Sequence, residues 1–219
     1  MVDRALRANS SQILVKNFNI DIRPPDLGTL RPSQWLNDEV INYYGQMILA
    51  RNKAQPEKHP KVHIFNTFFY ERLQASPFYQ NVRRWTKKVD IFGLDKVIAP
   101  LHLGNHWTCG VINMRDKRFE YYDSLGPHSS SQIFSNLRNY VKHEWADKKG
   151  GEFDFDGWSD YAPMDVPRQL NGNDCGVFTS LFMDYAAADE PFDFDGEGME
   201  YWRRRIMYEI LRGRLGLAE

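Results

Sequence analysis

Residues 106–123 read HWTCGVINMRDKRFEYYD. The runs 106–113 and 118–123 are rich in β-branched and aromatic residues and are separated by polar residues, so they predict an antiparallel β-hairpin. A third run of this kind, 96–100, predicts a neighbouring strand. The middle of the chain is therefore expected to form a small sheet.

The two ends of this hairpin carry a histidine and a carboxylate. A two-residue turn at 114–115 places residue 106 opposite residue 123, because facing residues of an antiparallel pair have numbers with a constant sum, here 229. His106 and Asp123 are then expected on one sheet face, with Cβ atoms roughly 5 Å apart. A carboxylate there can accept the imidazole Nδ1 proton and leave Nε2 free as a base.

The first of the two cysteines is expected to be inert. Cys109 shares its strand parity with Trp107, opposite to His106, so it should point to the other face of the sheet and lie in the core. A zinc site made of His102, His106 and Cys109 is rejected, because a histidine pair at i, i+4 converges on a helix but not across a loop and a strand. We expect no metal.

The second cysteine follows a polar, glycine-containing loop, QLNGND, at 169–174. The apolar residues after it recur with helical spacing, so Asn173 or Asp174 is expected to cap a helix that has Cys175 in its first turn. Helix-end amides favour a thiolate there, and glycines on both sides would let a substrate approach the sulfur closely. The backbone amide of Cys175 and the side chain of Gln169 can donate to a developing oxyanion.

Helices are predicted both before and after the strand segments in the sequence. Their apolar positions recur with helical spacing from Leu36 to Met47, with Ser33 as the cap, and again over 132–145, 175–188 and 200–215. Helices around a small central sheet indicate the α+β class.

Composition limits the remaining possibilities. The 219 residues, 42% of them hydrophobic, are read as a single domain, 1–219, with 1–20 as an N-terminal arm. Lys plus Arg (28) nearly balances Asp plus Glu (29), which gives no reason to expect a nucleic-acid partner. The absence of a signal segment and of a long apolar run predicts a protein that is neither secreted nor inserted in a membrane.

The residues singled out above resemble those of a known family. The order His106-Trp107, Asp123-Ser124-Leu125 and then Gln169 to Asp174-Cys175-Gly176 resembles the ubiquitin-like-protein-specific, or SUMO (sentrin), proteases. Further blocks resemble the family in the same order: WLND at 35–38, FNTFFY at 65–70, VRRW at 82–85, LDK at 94–96 followed by Pro100, and PFDFD at 191–195 with an Arg-rich last helix.

This resemblance implies a papain-like cysteine protease fold and a His106, Asp123 and Cys175 triad, with Gln169 in the oxyanion hole. It implies hydrolysis after a C-terminal Gly-Gly of a SUMO-type modifier, in the precursor and in isopeptide conjugates, without a cofactor. Four further residues are implied to bind the modifier: Trp35 and Trp107 as walls of a narrow channel for the glycines, and Asp38 and Phe68 as contacts to its body. A monomer in the nucleus or nuclear envelope, otherwise in the cytoplasm, is expected.

Three alternatives stay open. A protease for a Rub/Nedd-type modifier would use the same triad, although the blocks between 82 and 100 favour SUMO. An acyltransferase could use the same thioester chemistry, but no basic pocket for a phosphorylated cofactor is evident. An inactive modifier-binding module is disfavoured by the complete triad.

Overall fold

The computed structural model describes residues 1–128 and 130–216, so the predicted domain 1–219 includes four residues, 129 and 217–219, outside the described part. Five strands form the central sheet: β3 (Val62–Ile64), β4 (Lys96–His102), β5 (Trp107–Asn113), β6 (Arg118–Tyr122) and β7 (Ser159–Tyr161). They lie in the order β3-β4-β5-β6-β7, and a separate hairpin pairs β1 (Val15–Asn17) with β2 (Ile20–Ile22). β5 is antiparallel to both β4 and β6, whereas both outer strands run parallel to their neighbours.

The hairpin of β5 and β6 exists, but its predicted register is wrong by two residues. Gly110 faces Tyr121, so the facing numbers add to 231 rather than 229. The turn is longer than predicted because the Asn113 side chain accepts the Asp116 N–H at 2.9 Å and Lys117 adopts a left-handed conformation, with φ 50°. An even shift leaves every side chain on its predicted face.

Helices cover both sheet faces. They are α1 (Val2–Ala5), α2 (Pro24–Gly28), α3 (Asp38–Ala54), α4 (Phe69–Gln74), α5 (Ser130–Lys148), α6 (Cys175–Ala188) and α7 (Met199–Arg212). The expected α+β class is confirmed.

The predicted cap of α3 is wrong. Asn37, and not Ser33, is the N-cap residue, and its side chain accepts the Val40 N–H at 3.1 Å. Ser33 has a left-handed backbone, with φ 61°, and lies well before the first residue of the helix, Asp38. Leu36 therefore lies outside the helix.

Two hydrophobic cores lie on opposite faces of the sheet. The first contains Cys109 and Val111 of β5 and packs against α3, α6 and α7, whereas Ile112 of the same strand belongs to the second, with α4 and α5. The predicted arm also packs on the first core, since Val2 and Ala5 are buried there. Among the helices within the described residues, none is long and apolar enough to cross a bilayer.

Candidate active site

His106 and Asp123 meet at one end of the sheet. His106 immediately precedes β5 and Asp123 immediately follows β6, and antiparallel pairing brings these two ends together. His106 Nε2 lies 2.7 Å from Asp123 Oδ1. The carboxylate also accepts the Leu125 N–H at 2.8 Å and the Tyr121 hydroxyl at 2.9 Å, so its position is fixed from three sides.

The predicted assignment of the two imidazole nitrogens is reversed. Nε2 contacts the carboxylate, so Nδ1 is the nitrogen left for the hydrogen bond between His106 and Cys175. Alternation along a strand carries no information about which nitrogen faces the carboxylate. The chemical logic is unchanged, because one nitrogen is still held by the acid and the other is presented to sulfur.

Cys175 is the first residue of α6, as predicted, and is 3% exposed. Its sulfur accepts hydrogen bonds from the backbone N–H groups of Trp107 and Gly176. Asp174, one of the two predicted caps, is the N-cap residue of α6, but its side chain makes no capping hydrogen bond. It is paired with Arg203 instead, with 2.6 Å between Nη2 and Oδ1.

The pKa values of the three groups favour a charged site. Burial raises the pKa of the Cys175 thiol, but the hydrogen bond from His106 and those from backbone amides outweigh it and leave the pKa below that of an ordinary thiol. Burial likewise lowers the pKa of His106, yet its bonds to Asp123 and Cys175 prevail and raise this pKa to about 9. For Asp123, burial opposes ionisation, but hydrogen bonds from His106 and Leu125 lower the pKa. Both shifts favour a thiolate beside an imidazolium over the neutral pair.

Gln169 is held by two contacts in the loop before Cys175. Its Oε1 accepts from the Ser124 hydroxyl at 2.6 Å, and its Nε2 donates to the Asn171 carbonyl at 2.5 Å. The residue is 8% exposed. Its expected role in an oxyanion hole stays a prediction.

Gly176 follows the nucleophile, and glycine is needed there for a different reason from the one predicted. A Cβ on Gly176 would lie 2.7 Å from the Leu36 Cβ, so this glycine is required by the close approach of the segment that carries Trp35. Gly172, on the other side of Cys175, has open space around it. The expectation that both glycines let a substrate approach the sulfur stays a prediction.

Arg203 is a residue of this site that sequence reasoning missed. Its guanidinium is 3% exposed and pairs with Asp174. It also donates to four backbone carbonyls, those of Thr29, Arg31, Gln34 and Asn173. The sequence could have indicated this buried arginine. Arg203 shares the helical spacing of the apolar residues Met199, Ile206 and Ile210 in α7, so it occupies a position on the core face of the helix. Arg203 joins the segment before Trp35 to the loop before Cys175.

The four predicted modifier contacts differ in exposure. Trp35 is 53% exposed and its Nε1 donates to the Gly172 carbonyl at 2.9 Å, which places the indole against the loop before Cys175. Phe68, at the start of α4, is 45% exposed, and Asp38 is the first residue of α3.

The Trp107 side chain lies largely in the core, although the resemblance implies a wall of the substrate channel. It is 9% exposed, belongs to the first hydrophobic core, and its ring lies 4.3 Å from that of His102. Its backbone N–H contacts the Cys175 sulfur, so the residue still adjoins the nucleophile. A substrate-binding role for these four side chains stays a prediction.

Cys109 has the properties expected of a core thiol. It is fully buried, and burial raises its pKa far above that of an ordinary thiol. Neither cysteine forms a disulfide. Within residues 1–128 and 130–216, no group of three or more His, Cys, Asp or Glu side chains is arranged to hold a metal ion.

A family model and curated relatives match most of this chain. Residues 34–215 match the family model "Ulp1 protease family, C-terminal catalytic domain". A sentrin-specific protease of Caenorhabditis elegans is 43% identical over 216 residues, which cover 98% of this chain and 31% of that protein. Human sentrin-specific protease 2 is 37% identical over 206 residues, 93% of this chain and 34% of that protein.

Solved structures resemble the fold over almost its whole length. The yeast Ulp1 protease domain in complex with Smt3, the yeast ortholog of SUMO, has a TM-score of 0.81 at 36% identity, covering 97% of this chain and 92% of that one. The Ulp1-like SUMO protease catalytic domain of Chaetomium thermophilum has a TM-score of 0.83 at 26% identity, covering 99% and 88%. The chain spans about a third of the length of the curated relatives described above.

Proposed function

The chain belongs to the Ulp1 protease family, and from this premise we propose that it is a cysteine protease that cleaves after the C-terminal Gly-Gly of a SUMO-type modifier. The observation that carries the proposal is the arrangement of Cys175 at a helix start, beside an imidazole that Asp123 holds at 2.7 Å. Catalytic roles of His106, Asp123, Cys175 and Gln169 are part of the proposal. So is the interpretation of 1–219 as one catalytic domain.

The proposed reaction uses these groups in two steps. The Cys175 thiolate bonds to the glycine carbonyl carbon, and the negative charge moves to the carbonyl oxygen, near the Gln169 amide. When the C–N bond breaks, His106 gives its proton to the leaving amine and a thioester remains. Water then attacks the thioester, His106 takes a proton from it, and the thiolate is released.

The modifier class is supported by the relatives. Yeast Ulp1 was solved with Smt3, and the curated relatives are sentrin-specific proteases. Precursor processing and isopeptide deconjugation both deliver the same Gly-Gly carbonyl to the thiolate, so both are included. Trp35 and Trp107 are proposed to flank the glycines, with Asp38 and Phe68 contacting the body of the modifier.

We expect Trp35→Ala to reduce kcat/KM for a SUMO reporter with a C-terminal fluorogenic amide by roughly ten- to a hundredfold, because the scissile bond loses its orientation. The wild-type enzyme should cleave a reporter ending in Gly-Ala more slowly than one ending in Gly-Gly by roughly a hundredfold, and Trp35→Ala should narrow this difference. Tyr201→Ala is the matched control, since Tyr201 is 52% exposed, as Trp35 is 53% exposed, but belongs to α7. Equal cleavage of both reporters by the wild type would contradict the narrow channel.

The same assay separates the alternatives. Preference for a Rub/Nedd-type reporter would change the modifier class, and transfer of an acyl group to an added amine without hydrolysis would indicate an acyltransferase. Binding without any turnover would indicate an inactive module.

The pH dependence follows from the ion pair. Cleavage should decrease as the pH rises through about 9, because His106 then loses the proton that the leaving amine needs. Asp123→Asn removes a negative charge that favours the imidazolium, so the alkaline limb should move to lower pH. The measurement is kcat against pH for both proteins, and an alkaline limb at the same pH in Asp123→Asn would remove the carboxylate from this role.

The nuclear or nuclear-envelope location and the monomeric state implied by the resemblance belong to this proposal. Imaging of the tagged chain in cells and light scattering of the purified protein test them.

A further inference from the structure

Ser124 is a buried residue between two parts of the site. It is 2% exposed and directly follows Asp123, which holds His106. Its hydroxyl lies 2.6 Å from Gln169 Oε1, and its carbonyl accepts the Gln169 N–H at 3.1 Å. Adjacent residues after β6 therefore contact the proposed base and the proposed oxyanion donor.

The hydrogen bonds determine which way the Gln169 amide faces. The Asn171 carbonyl can only accept, so the amide atom 2.5 Å from it is the nitrogen. The oxygen then faces Ser124, and the serine hydroxyl must donate to it. One Nε2 hydrogen is used by Asn171, and the second is available for another acceptor.

Asn171 connects this amide to the nucleophile. Its side chain accepts the Asp174 N–H at 3.1 Å and donates to the Asp174 carboxylate at 2.7 Å, directly before Cys175. A glutamine side chain has several rotatable bonds, and an oxyanion donor is effective only when it is fixed before the charge develops. Anchors at both ends of the amide supply this rigidity.

We propose that Ser124 is a positioning residue for catalysis: its hydroxyl holds Gln169 Oε1 so that the second Nε2–H is directed at the carbonyl oxygen attacked by Cys175. The proposal rests on the cysteine protease function proposed above. Ser124 acts only through Gln169, and so the Asp123-Ser124 pair positions both the base and the oxyanion donor.

A double-mutant cycle tests it with the Gly-Gly reporter. Ser124→Ala should lower kcat by about tenfold, with KM changed by less than about twofold, because one hydrogen bond to the donor is lost. Gln169→Ala should lower kcat by about a hundredfold. The double variant should be no slower than Gln169→Ala, and Ser124→Thr, which retains a hydroxyl, should recover most of the rate.

Thr86→Ala is the matched control. Thr86 is 2% exposed and its hydroxyl donates to Glu144, which packs with the second core on the other side of the sheet. This variant should lose stability but keep kcat. The proposal would be overturned if the double variant lost kcat by the product of the two single losses. It would also be overturned if Ser124→Ala changed only KM and left kcat unchanged.

A second measurement does not depend on the substrate. In a ¹H–¹⁵N NMR spectrum, the side-chain amide signals of Gln169, assigned with Gln169→Ala, should shift and broaden in Ser124→Ala and not in Thr86→Ala. Unchanged Gln169 signals would overturn the inference even if no reporter were cleaved. A failure to cleave any reporter alongside the expected NMR shift would instead count against the proposed function alone.

Discussion

Cys175→Ala is expected to reduce cleavage of a SUMO reporter by at least about 10⁴-fold while the modifier still binds. The variant removes the sulfur whose thiol pKa is lowered by the hydrogen bond from His106 and by backbone amides, and loss of the nucleophile of a serine protease triad costs about 10⁶-fold in kcat. The checks are kcat from the fluorogenic reporter and Kd from titration calorimetry.

Cys109→Ala is the control for this result. Cys109 is fully buried on β5 and its thiol is held neutral by burial, so turnover should change little and only stability should decrease. A modifier with a C-terminal electrophile should label Cys175 alone. Comparable losses from both substitutions, or a label on Cys109, would refute the assignment of the nucleophile.

Arg203→Met is expected to destabilise the protein by about 3–5 kcal/mol, because it leaves the Asp174 carboxylate buried without its partner. Arg204→Met is a matched control, since the neighbouring arginine pairs with Asp3 while both side chains are more than half exposed. Its free energy of unfolding should change little, because an exposed ion pair contributes little to stability. Urea unfolding at fixed pH measures both values.

A second substitution separates charge from packing. Asp174→Asn in the Arg203→Met background neutralises the unpaired carboxylate, so part of the lost stability should return. If the double variant is less stable than Arg203→Met, the buried charge is not the cause of the loss.

Alternation along strands and helical spacing predicted the features that depend only on residues close together in the sequence. Alternation along β5 placed Cys109 in the core, and the helical spacing after residue 174 predicted α6 with its observed bounds. The order of His106, Asp123 and Cys175 along the chain indicated the site. The placement of Cys109 and of α6 needs only the two periodicities of strand and helix, whereas the triad as a set is implied by the family resemblance.

Side-chain contacts that neither periodicity encodes account for the errors. The Asn113 side chain accepts the Asp116 N–H in a hairpin turn that is longer than predicted. Arg203, 29 residues further along the chain, binds the Asp174 side chain, which makes no capping hydrogen bond to α6. The strands β3 and β7 contain three residues each and pair in parallel with distant segments, so no local pattern marks them. Alternation along β5 likewise does not show which nitrogen of the His106 ring faces Asp123.

The close approach of Gly176 to Leu36 limits how this protein can be redesigned. A Cβ added at 176 would meet the Leu36 Cβ at 2.7 Å, so no volume is left for a side chain at 176 while a leucine occupies 36. In a directed-evolution library that varies the two positions independently, nearly every clone with a larger residue at 176 should be lost unless position 36 has become glycine in the same clone, because every other residue keeps the Cβ that lies in the way. A side chain can therefore be introduced at position 176 only together with a change at position 36.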